Sequence, residues 1–346
     1  MAEFRIEYEN GKFITLDLQD YLFFYGGQNA WKRKIIRTLK RFSYAKSLSE
    51  LEETVYGENG IEIYYDGKLL NAKNMTVYFL EDNTSVFSQL AFLKDTLMYE
   101  ELESLQNNFE VGKQMELINE DILHLETIIS KRVGCYSNNI ACTLSPLNFI
   151  DLLKRHLILK YIDDNMDYPL SMMNSSELLD EFIYLIKAKI KREERMTWIV
   201  LANPERFLER KDISYLFGQL HDIATETKQL KFFILNNSSL VLDYTTEDID
   251  KTVLLFDDYQ QLPSFEIFRE SIERNYPDKF SLDECQLVSS FYRVCNFIGE
   301  SRHDIYINPK DMVLLRVMKE LLMDESRIET SFQPLTQLEK QFLKDW

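Results

Sequence analysis

Residues 22–33 read Leu22-Phe23-Phe24-Tyr25-Gly26-Gly27-Gln28-Asn29-Ala30-Trp31-Lys32-Arg33, and this stretch decides the fold. Its four leading apolar residues suit a short buried strand, and the glycines directly after them favour a tight turn. The amphipathic pattern from Trp31 to Phe42 predicts a helix after the turn. Strand, glycine turn and helix in this order form the frame of a phosphate-binding P-loop. We therefore predict an α/β fold built around this loop.

Two positions of the loop differ from a P-loop that holds nucleotide. The pattern G-x-x-x-x-G-K-[ST] uses glycine for close backbone approach, lysine for the phosphates and a hydroxyl group for Mg²⁺. Gly26 and Lys32 stand in register with this pattern, but Trp31 replaces the second glycine and Arg33 replaces the serine or threonine. Tryptophan prevents the close approach that glycine allows, and arginine brings a cation where the metal would bind. The sequence predicts a P-loop frame that no longer binds nucleotide.

A second nucleotide motif is also incomplete. In P-loop ATPases an apolar strand ends in acidic residues, which hold Mg²⁺ and activate water. Here the apolar run Trp198 to Leu201 is followed by Ala202, Asn203 and Pro204, so both carboxylates are missing. Two incomplete motifs in the right order favour a degenerate P-loop protein without enzymatic activity. An unrelated α/β protein with a glycine turn remains the alternative.

The overall composition is that of a folded globular protein. The chain has 346 residues, a net charge of −17 and 45% hydrophobic residues. No apolar run approaches the ~20 residues of a membrane span, and the N-terminus lacks the layout of a signal peptide. Its four cysteines form no C-x-x-C pair and its four histidines are scattered, so no zinc motif is present. We expect a cytoplasmic protein with reduced, buried thiols and no membrane partner.

The positive charges relevant to function fall into two clusters. The first lies on the helix predicted after the glycine turn and contains Lys32, Arg33, Lys34, Arg37, Lys40 and Arg41. The second contains Lys187, Lys189, Lys191 and Arg192 and is diluted by two glutamates that follow it. Cations at a helix N-terminus oppose the helix dipole, which favours a phosphate backbone or an acidic partner opposite them. Both clusters are candidate DNA contacts, and a solvated helix face is the alternative for each.

The chain is predicted to contain three parts. An α/β head is expected to comprise residues 1–85 and 196–263, an acidic helical insertion residues 86–195, and an all-α extension residues 264–346. In the head, β-hairpins are expected at Asn10-Gly11 and Asp66-Gly67. Continuous apolar runs at Phe232–Leu235 and Val253–Phe256 predict strands of a mostly parallel sheet covered on both faces.

Inside the insertion, apolar residues at spacings of three and four predict long helices that break near Gly112. A further helical pair is expected from Pro146 to Tyr161 and from Ser175 to Arg195. Ser175 and Ser176 are plausible N-cap residues for the second of these helices.

Together these parts resemble the CRISPR-associated adaptation protein of type II-A systems, in its long streptococcal form. The resemblance rests on the Asn10-Gly11 hairpin, the loop Tyr25 to Lys32, the acidic insertion, and the segments Trp198 to Leu208 and Phe232 to Asn236. It covers residues 1 to about 263, so the remainder would be the extension of the long form. Such proteins are similar to ABC-type ATPase heads that have lost their nucleotide motifs and carry a helical insertion.

The resemblance implies a function in antiviral defence, namely the acquisition of new CRISPR spacers. It implies a homotetrameric ring whose positive channel binds double-stranded DNA at its ends, acting beside the integrase pair and the effector nuclease. It also implies calcium, bound by carboxylates of the insertion in short members of the family. The comparable stretch here, Ser130 to Asn139, contains no carboxylate, so no calcium ligand is assigned.

Two other functions remain open at this stage. The first is a divergent P-loop ATPase or nuclease that uses Lys32 and Asp257, since Asp257-Asp258 follows a predicted strand where α/β folds place functional groups. Adjacent carboxylates in a turn usually diverge, which favours a solvated turn instead. The second is a scaffold whose acidic helices bind a basic protein and which does not bind DNA.

Overall fold

The computed structural model describes residues 2–163, 166–303 and 307–329. The chain divides into two compact units: the first combines Met1–Glu81 with Glu194–Trp346, and the second is Asp82–Glu193. The C-terminal helices are thus grouped with the head in one unit. Residues 330–346 of the predicted extension lie outside the described part, and the three-part division remains a prediction.

The elements follow in chain order. The first unit begins with β1 (Ala2–Glu9), β2 (Lys12–Leu18), β3 (Tyr21–Tyr25), α1 (Asn29–Ser43), α2 (Glu50–Tyr56), β4 (Ile63–Tyr65), β5 (Lys68–Leu69) and β6 (Met75–Leu80). The second unit contains α3 (Asn83–Leu90), α4 (Leu97–Ser104), α5 (Phe109–Gly134), α6 (Phe149–His156), β7 (Lys160–Asp163), β8 (Met166–Pro169) and α7 (Ser175–Arg192). The first unit then resumes with β9 (Met196–Ala202), α8 (Arg210–Thr227), β10 (Leu230–Leu235), β11 (Thr252–Leu255), β12 (Tyr259–Gln261), α9 (Phe265–Asn275), α10 (Glu284–Val294), β13 (Arg302–His303), α11 (Pro309–Leu321) and β14 (Ile328–Glu329).

A six-stranded sheet organises the first unit, in the order β12-β11-β3-β10-β9-β6. All neighbouring strands run parallel except β12, which is antiparallel to β11. Every residue of β3 and β10 is buried, as expected for strands covered on both faces. The predicted fold class, α/β with a mostly parallel sheet, β-hairpins and a long helical segment, is confirmed.

A smaller antiparallel sheet, ordered β2-β1-β4-β5, packs against the first through aromatic side chains. The ring of Phe4 lies 5.3 Å from that of Trp198 and 5.5 Å from that of Phe233. Both predicted hairpins are present, because β1 pairs with β2 and β4 with β5. Gly11 at the first turn has φ 69°, which glycine adopts at little cost.

The second unit differs from the prediction in three places. The break expected near Gly112 lies earlier, between α4 and α5, because the side chain of Asn108 accepts the amides of Glu110 and Val111 and caps the start of α5; Gly112 lies inside that helix. The helix expected from Pro146 to Tyr161 is limited to α6, and the β7–β8 hairpin follows it. The N-cap of α7 is Asn174, which forms a capping box with Glu177, so neither predicted serine caps it.

Several features of the described residues bear on function class. No helix there is long and apolar enough to cross a membrane. No group of three histidine, cysteine or acidic residues in that part of the chain could hold a metal ion. All four cysteines are free, and Cys295 is the buried one, contrary to the expectation that most would be buried.

Candidate phosphate-loop site and basic groove

The glycine loop lies where the carboxyl ends of four parallel strands meet, those of β3, β9, β10 and β11. Gly26 has φ 104°, and a Cβ atom there would lie 2.1 Å from the carbonyl oxygen of Leu255. Both the left-handed backbone and the close approach require glycine at this position. Sequence reasoning placed the loop correctly, since α1 begins just after it.

A backbone amide of the loop, of the kind that a P-loop directs at phosphate, is hydrogen-bonded within the chain. The Gly27 N–H donates a 2.6 Å hydrogen bond to the carbonyl oxygen of Ile298. A Cβ atom on Gly27 would lie 2.1 Å from Cβ of Glu300, so the segment after α10 lies directly against the loop. Phosphate would have to displace this segment. The sequence offered no signal for this contact.

Lys32 lies inside the protein and is 4% exposed. Its Nζ donates to the carbonyl oxygen of Gly26 at 2.6 Å, to the carbonyl oxygen of Asn236, and to Oδ1 of Asn237 at 3.2 Å. The ammonium group is therefore directed at oxygen acceptors of its own chain. This corrects the prediction that Lys32 belongs to a phosphate-facing set. Asn236 directly follows β10, so its place at a strand end was the available signal.

Trp31 and Arg33 point away from the loop interior. The Trp31 ring packs 4.9 Å from that of Tyr8 and 5.9 Å from that of Tyr259, so it joins α1 to the β-strands beside it. Arg33 is exposed and its Nε donates to the carbonyl oxygen of Asn29. Neither residue restores the close backbone approach or the hydroxyl ligand that nucleotide and Mg²⁺ need.

The second motif offers no metal carboxylate. Ala202 ends β9, and Asn203 follows in the left-handed region, with φ 53° and its amide donating to the carbonyl oxygen of Leu235 at 2.7 Å. The nearby acid in sequence, Glu205, accepts a hydrogen bond from Ser238 instead. The residues present at these positions do not fit Mg²⁺-nucleotide.

Asp257, the acid of the alternative enzyme hypothesis, lies on the outer side of the loop. It is exposed, and its Oδ1 accepts a hydrogen bond from the Gln28 side chain at 3.3 Å. Lys32 binds a different set of partners. These partners include the oxygen atoms of Gly26, Asn236 and Asn237.

The buried thiol of Cys295 is not activated as a nucleophile. Cys295 is fully buried, and burial raises the pKa of its thiol well above the usual range. The thiol is therefore neutral at physiological pH, which makes it a poor nucleophile.

Acidic neighbours neutralise three cations of the first cluster. Lys34 binds Glu9 at 2.6 Å, Lys40 binds Glu81, and Arg41 binds Glu52 at 2.6 Å. The Ser49 amide, followed by the Arg41 guanidinium and the Ser49 hydroxyl, lowers the pKa of Glu52 to about 2, so this carboxylate stays charged. Sequence reasoning missed these acids because they come from β1, α2 and the end of β6.

Two arginines of the first cluster remain available to a partner. Arg33 and Arg37 are exposed and lie one turn apart on α1. Arg206, which follows β9, is exposed as well. None of the three forms an ion pair within the described residues. Arg206 was not predicted, and only its position after a strand could have indicated it.

Most of the second cluster is engaged within its own unit. Lys189 is 2% exposed and pairs with Glu100 and with Glu193. Arg192 pairs with Glu101 and, at 2.7 Å, with Glu193. Burial and these pairs correct the prediction that Lys189 faces DNA. Lys187 is half-buried with contacts of its own, and Lys191 is exposed.

A groove in the first unit brings part of the first cluster together with the second motif. It has a volume of about 710 Å³ and lies between α1, α2 and the segment after β9. Arg33, Arg37 and Arg206 line it, as do Ala202 and Asn203. We call it the α1–α2 groove. The residues of the second motif and the available arginines thus meet at one groove of the first unit.

Comparison with known proteins gives a strong structural likeness. No protein-family model matches the chain, and no curated protein matches it. The crystal structure of Stu0660 of Streptococcus thermophilus is similar over 99% of both chains, with a TM-score of 0.83 at 16% identity. This likeness shows a shared fold over the full length.

Two weaker likenesses are to a component of an ABC transporter complex and to an SMC head domain. CbiO1 of Clostridium perfringens, part of an ABC transporter complex, is 12% identical over 78% of this chain and 93% of its own, with a TM-score of 0.36. The SMC head domain from Thermotoga maritima is 10% identical over 75% and 97% of the two chains, with a TM-score of 0.32. Both TM-scores are too low to support a structural or functional argument.

Proposed function

We propose that this protein is a non-catalytic, P-loop-derived protein that binds double-stranded DNA without sequence preference. One observation carries the proposal: Arg33, Arg37 and Arg206 lie at one groove with no acidic partner among the described residues, in a chain of net charge −17. An acidic protein gains from such a local cationic face only where an anionic partner meets it. A phosphate backbone supplies that partner.

The geometry of the loop argues against nucleotide as the anion. Lys32 is buried against carbonyl oxygens, and the Gly27 amide is bound to Ile298. Binding of ATP would require both groups to change partners, and the strand end at Ala202 would still supply no carboxylate. The proposal therefore includes no ATP and no enzymatic activity. It assigns no calcium site either.

The wider context of the proposal comes from the resemblance in sequence. Under this proposal the protein forms a cytoplasmic homotetrameric ring and binds the ends of DNA. It acts in CRISPR spacer acquisition together with the integrase pair and the effector nuclease. The fold shared with Stu0660 is consistent with this context, because it is a full-length likeness to a streptococcal protein.

Duplex binding at two salt concentrations tests the proposal. We expect linear duplex DNA to bind the wild-type protein, with affinity that falls steeply as salt rises, because phosphate contacts release counterions. The double variant Arg33→Glu/Arg37→Glu should bind at least about tenfold more weakly at low salt. Lys187→Gln/Lys191→Gln reports on the second cluster, and closed-circular DNA reports on the preference for ends.

Two outcomes would favour the other hypotheses. A ligand that binds the native state raises the melting temperature. If Mg²⁺-ATP raises the melting temperature of the wild-type protein but not that of Lys32→Met, the result would support a divergent ATPase. Absence of duplex binding at low salt would contradict the proposal and favour an acidic scaffold. Light scattering of the same samples gives the oligomeric state.

A further inference from the structure

The α1–α2 groove contains exposed apolar side chains as well as arginines. Tyr44, Leu51 and Val55 line it and are 66%, 81% and 37% exposed. Leu51 and Val55 lie one turn apart on α2, so they present one apolar strip. Ile36 and Tyr56 continue this lining into the groove. A concave apolar surface of this kind is typical of a docking site.

The charges around the apolar strip that have no partner in the described chain are all positive. The two acids of the groove, Glu52 and Glu81, already pair with Arg41 and Lys40. The remaining charges, those of Arg33, Arg37 and Arg206, are positive and have no acidic partner in the described chain. A complementary ligand therefore carries both apolar groups and negative charges.

A DNA duplex satisfies only half of this requirement. Its backbone would pair with the arginines, but its polar outer surface offers nothing to Leu51 and Val55. An amphipathic helix offers both, since apolar side chains at i, i+4 and i+7 fill a groove while acids beside them meet a cationic rim. A volume of about 710 Å³ suits the few side chains that one helix face buries.

We propose that the α1–α2 groove docks an acidic amphipathic helix of a partner protein. The apolar face of that helix lies on Tyr44, Leu51 and Val55, and its carboxylates pair with Arg37 and Arg206. Since Arg33 and Arg37 would also contact DNA, docking and duplex binding exclude each other; this clause alone rests on the proposed function. The groove is then a point at which a partner controls DNA access.

A defined peptide tests the docking directly. The probe is a fluorescein-labelled synthetic peptide of about 16 residues, with Leu at i, i+4, i+7 and i+11 and Glu at the flanking positions. We expect saturable fluorescence anisotropy with the full chain. The double variant Leu51→Ser/Val55→Ser should weaken peptide binding roughly tenfold or more and leave duplex binding unchanged, while Arg37→Glu weakens both. Leu69→Ser, at an exposed leucine of β5 outside the groove lining, is the matched control.

Three results would overturn the docking proposal. The first is absence of peptide binding at protein concentrations up to about 0.1 mM. The second is equal binding of a peptide with the same composition whose leucines are spread around the helix. The third is that a single-stranded oligothymidylate binds the wild-type protein and that this binding is lost in Leu51→Ser/Val55→Ser. This result would assign the groove to nucleobases. Circular dichroism and urea unfolding establish that each variant is folded.

The DNA proposal and the docking proposal fail separately. Loss of duplex binding with normal peptide binding removes the proposed function and the mutual exclusion, but keeps the docking site. Loss of peptide binding with normal, salt-dependent duplex binding does the reverse. If both ligands bind, displacement of the labelled peptide by unlabelled duplex tests exclusion, and simultaneous binding contradicts it.

Discussion

The backbone amide of Gly27 donates a 2.6 Å hydrogen bond to the carbonyl oxygen of Ile298. In a working P-loop such amides point at phosphate. Here a segment far along the chain provides the acceptor, and Glu300 packs onto the same glycine. The loop has become a packing site within the fold.

Replacement of Gly27 by alanine should destabilise the protein. The new Cβ would lie 2.1 Å from Cβ of Glu300, so the two backbone segments must separate. Overpacking of this kind costs about 1–3 kcal/mol. The midpoint of urea unfolding measures it.

Gly218→Ala is the matched control for that substitution. Gly218 lies inside α8, and a Cβ there meets nothing within 4 Å. Alanine should raise the free energy of unfolding by roughly 0.5–1 kcal/mol, because glycine is a poor helix former. Equal effects of the two substitutions would contradict the close packing of Gly27.

Lys32→Met should reduce stability whether or not any ligand is present. The substitution removes the ammonium that donates to Gly26, Asn236 and Asn237, and leaves buried oxygens without that donor. We expect a loss of about 2–4 kcal/mol in urea unfolding. Arg37→Met, at an exposed residue of the same helix, should change stability by less than about 0.5 kcal/mol. Unchanged stability of Lys32→Met would show that the lysine has no structural function.

The salt bridges of Glu9 predict an acid-dependent stability. Hydrogen bonds from Lys12 and then Lys34 lower the pKa of Glu9 from 4.5 to about 2. A carboxylate whose pKa falls on folding stabilises the native state above its unfolded pKa, and this contribution is lost as pH falls toward 2. Glu9→Gln should therefore be less stable than wild type at pH 7, by about 1 kcal/mol or less because the pairs are partly exposed.

Urea unfolding at pH 7, 5, 4 and 3 checks this dependence. The difference between wild type and Glu9→Gln should shrink as the pH falls from about 4.5 toward 2. Glu58→Gln, at an exposed glutamate, should show no such trend. A difference that stays constant with pH would contradict the assigned ion pairs.

The sequence predicted the frame of the fold because its signals are local. The run Leu22 to Tyr25 and the two glycines after it determine a buried strand and its turn without help from distant residues. The break expected near Gly112 lies instead at Asn108, for an equally local reason. A glycine inside a helix costs only about 1 kcal/mol, whereas Asn108 offers a side-chain cap that fixes the helix start.

The candidate site could be predicted only in part, because charge and exposure depend on long-range packing. The spacing of the loop predicts Lys32 as a phosphate ligand, yet oxygen atoms of Asn236 and Asn237, after β10, accept its hydrogen bonds. Lys189 reads as a solvated cation on a helix, yet acids from α4 and the end of α7 surround it. No periodicity in the chain pairs Ile298 with Gly27, since that contact joins two distant segments.

Arg37 and Lys40 lie on the same helix, α1, but differ in whether an acid of the protein neutralises them. Arg37 has no acidic partner among the described residues, while Lys40, one turn further along α1, is bound to Glu81. If duplex DNA contacts this face, Arg37→Gln should reduce the slope of log affinity against log salt by about 0.9, the value for one phosphate contact. Lys40→Gln should change the slope far less, because its charge is already balanced within the protein. Anisotropy titrations of linear duplex at four salt concentrations measure both slopes. An unchanged slope in Arg37→Gln would place the DNA contact elsewhere, and equal changes in the two variants would contradict the neutralisation of Lys40 by Glu81.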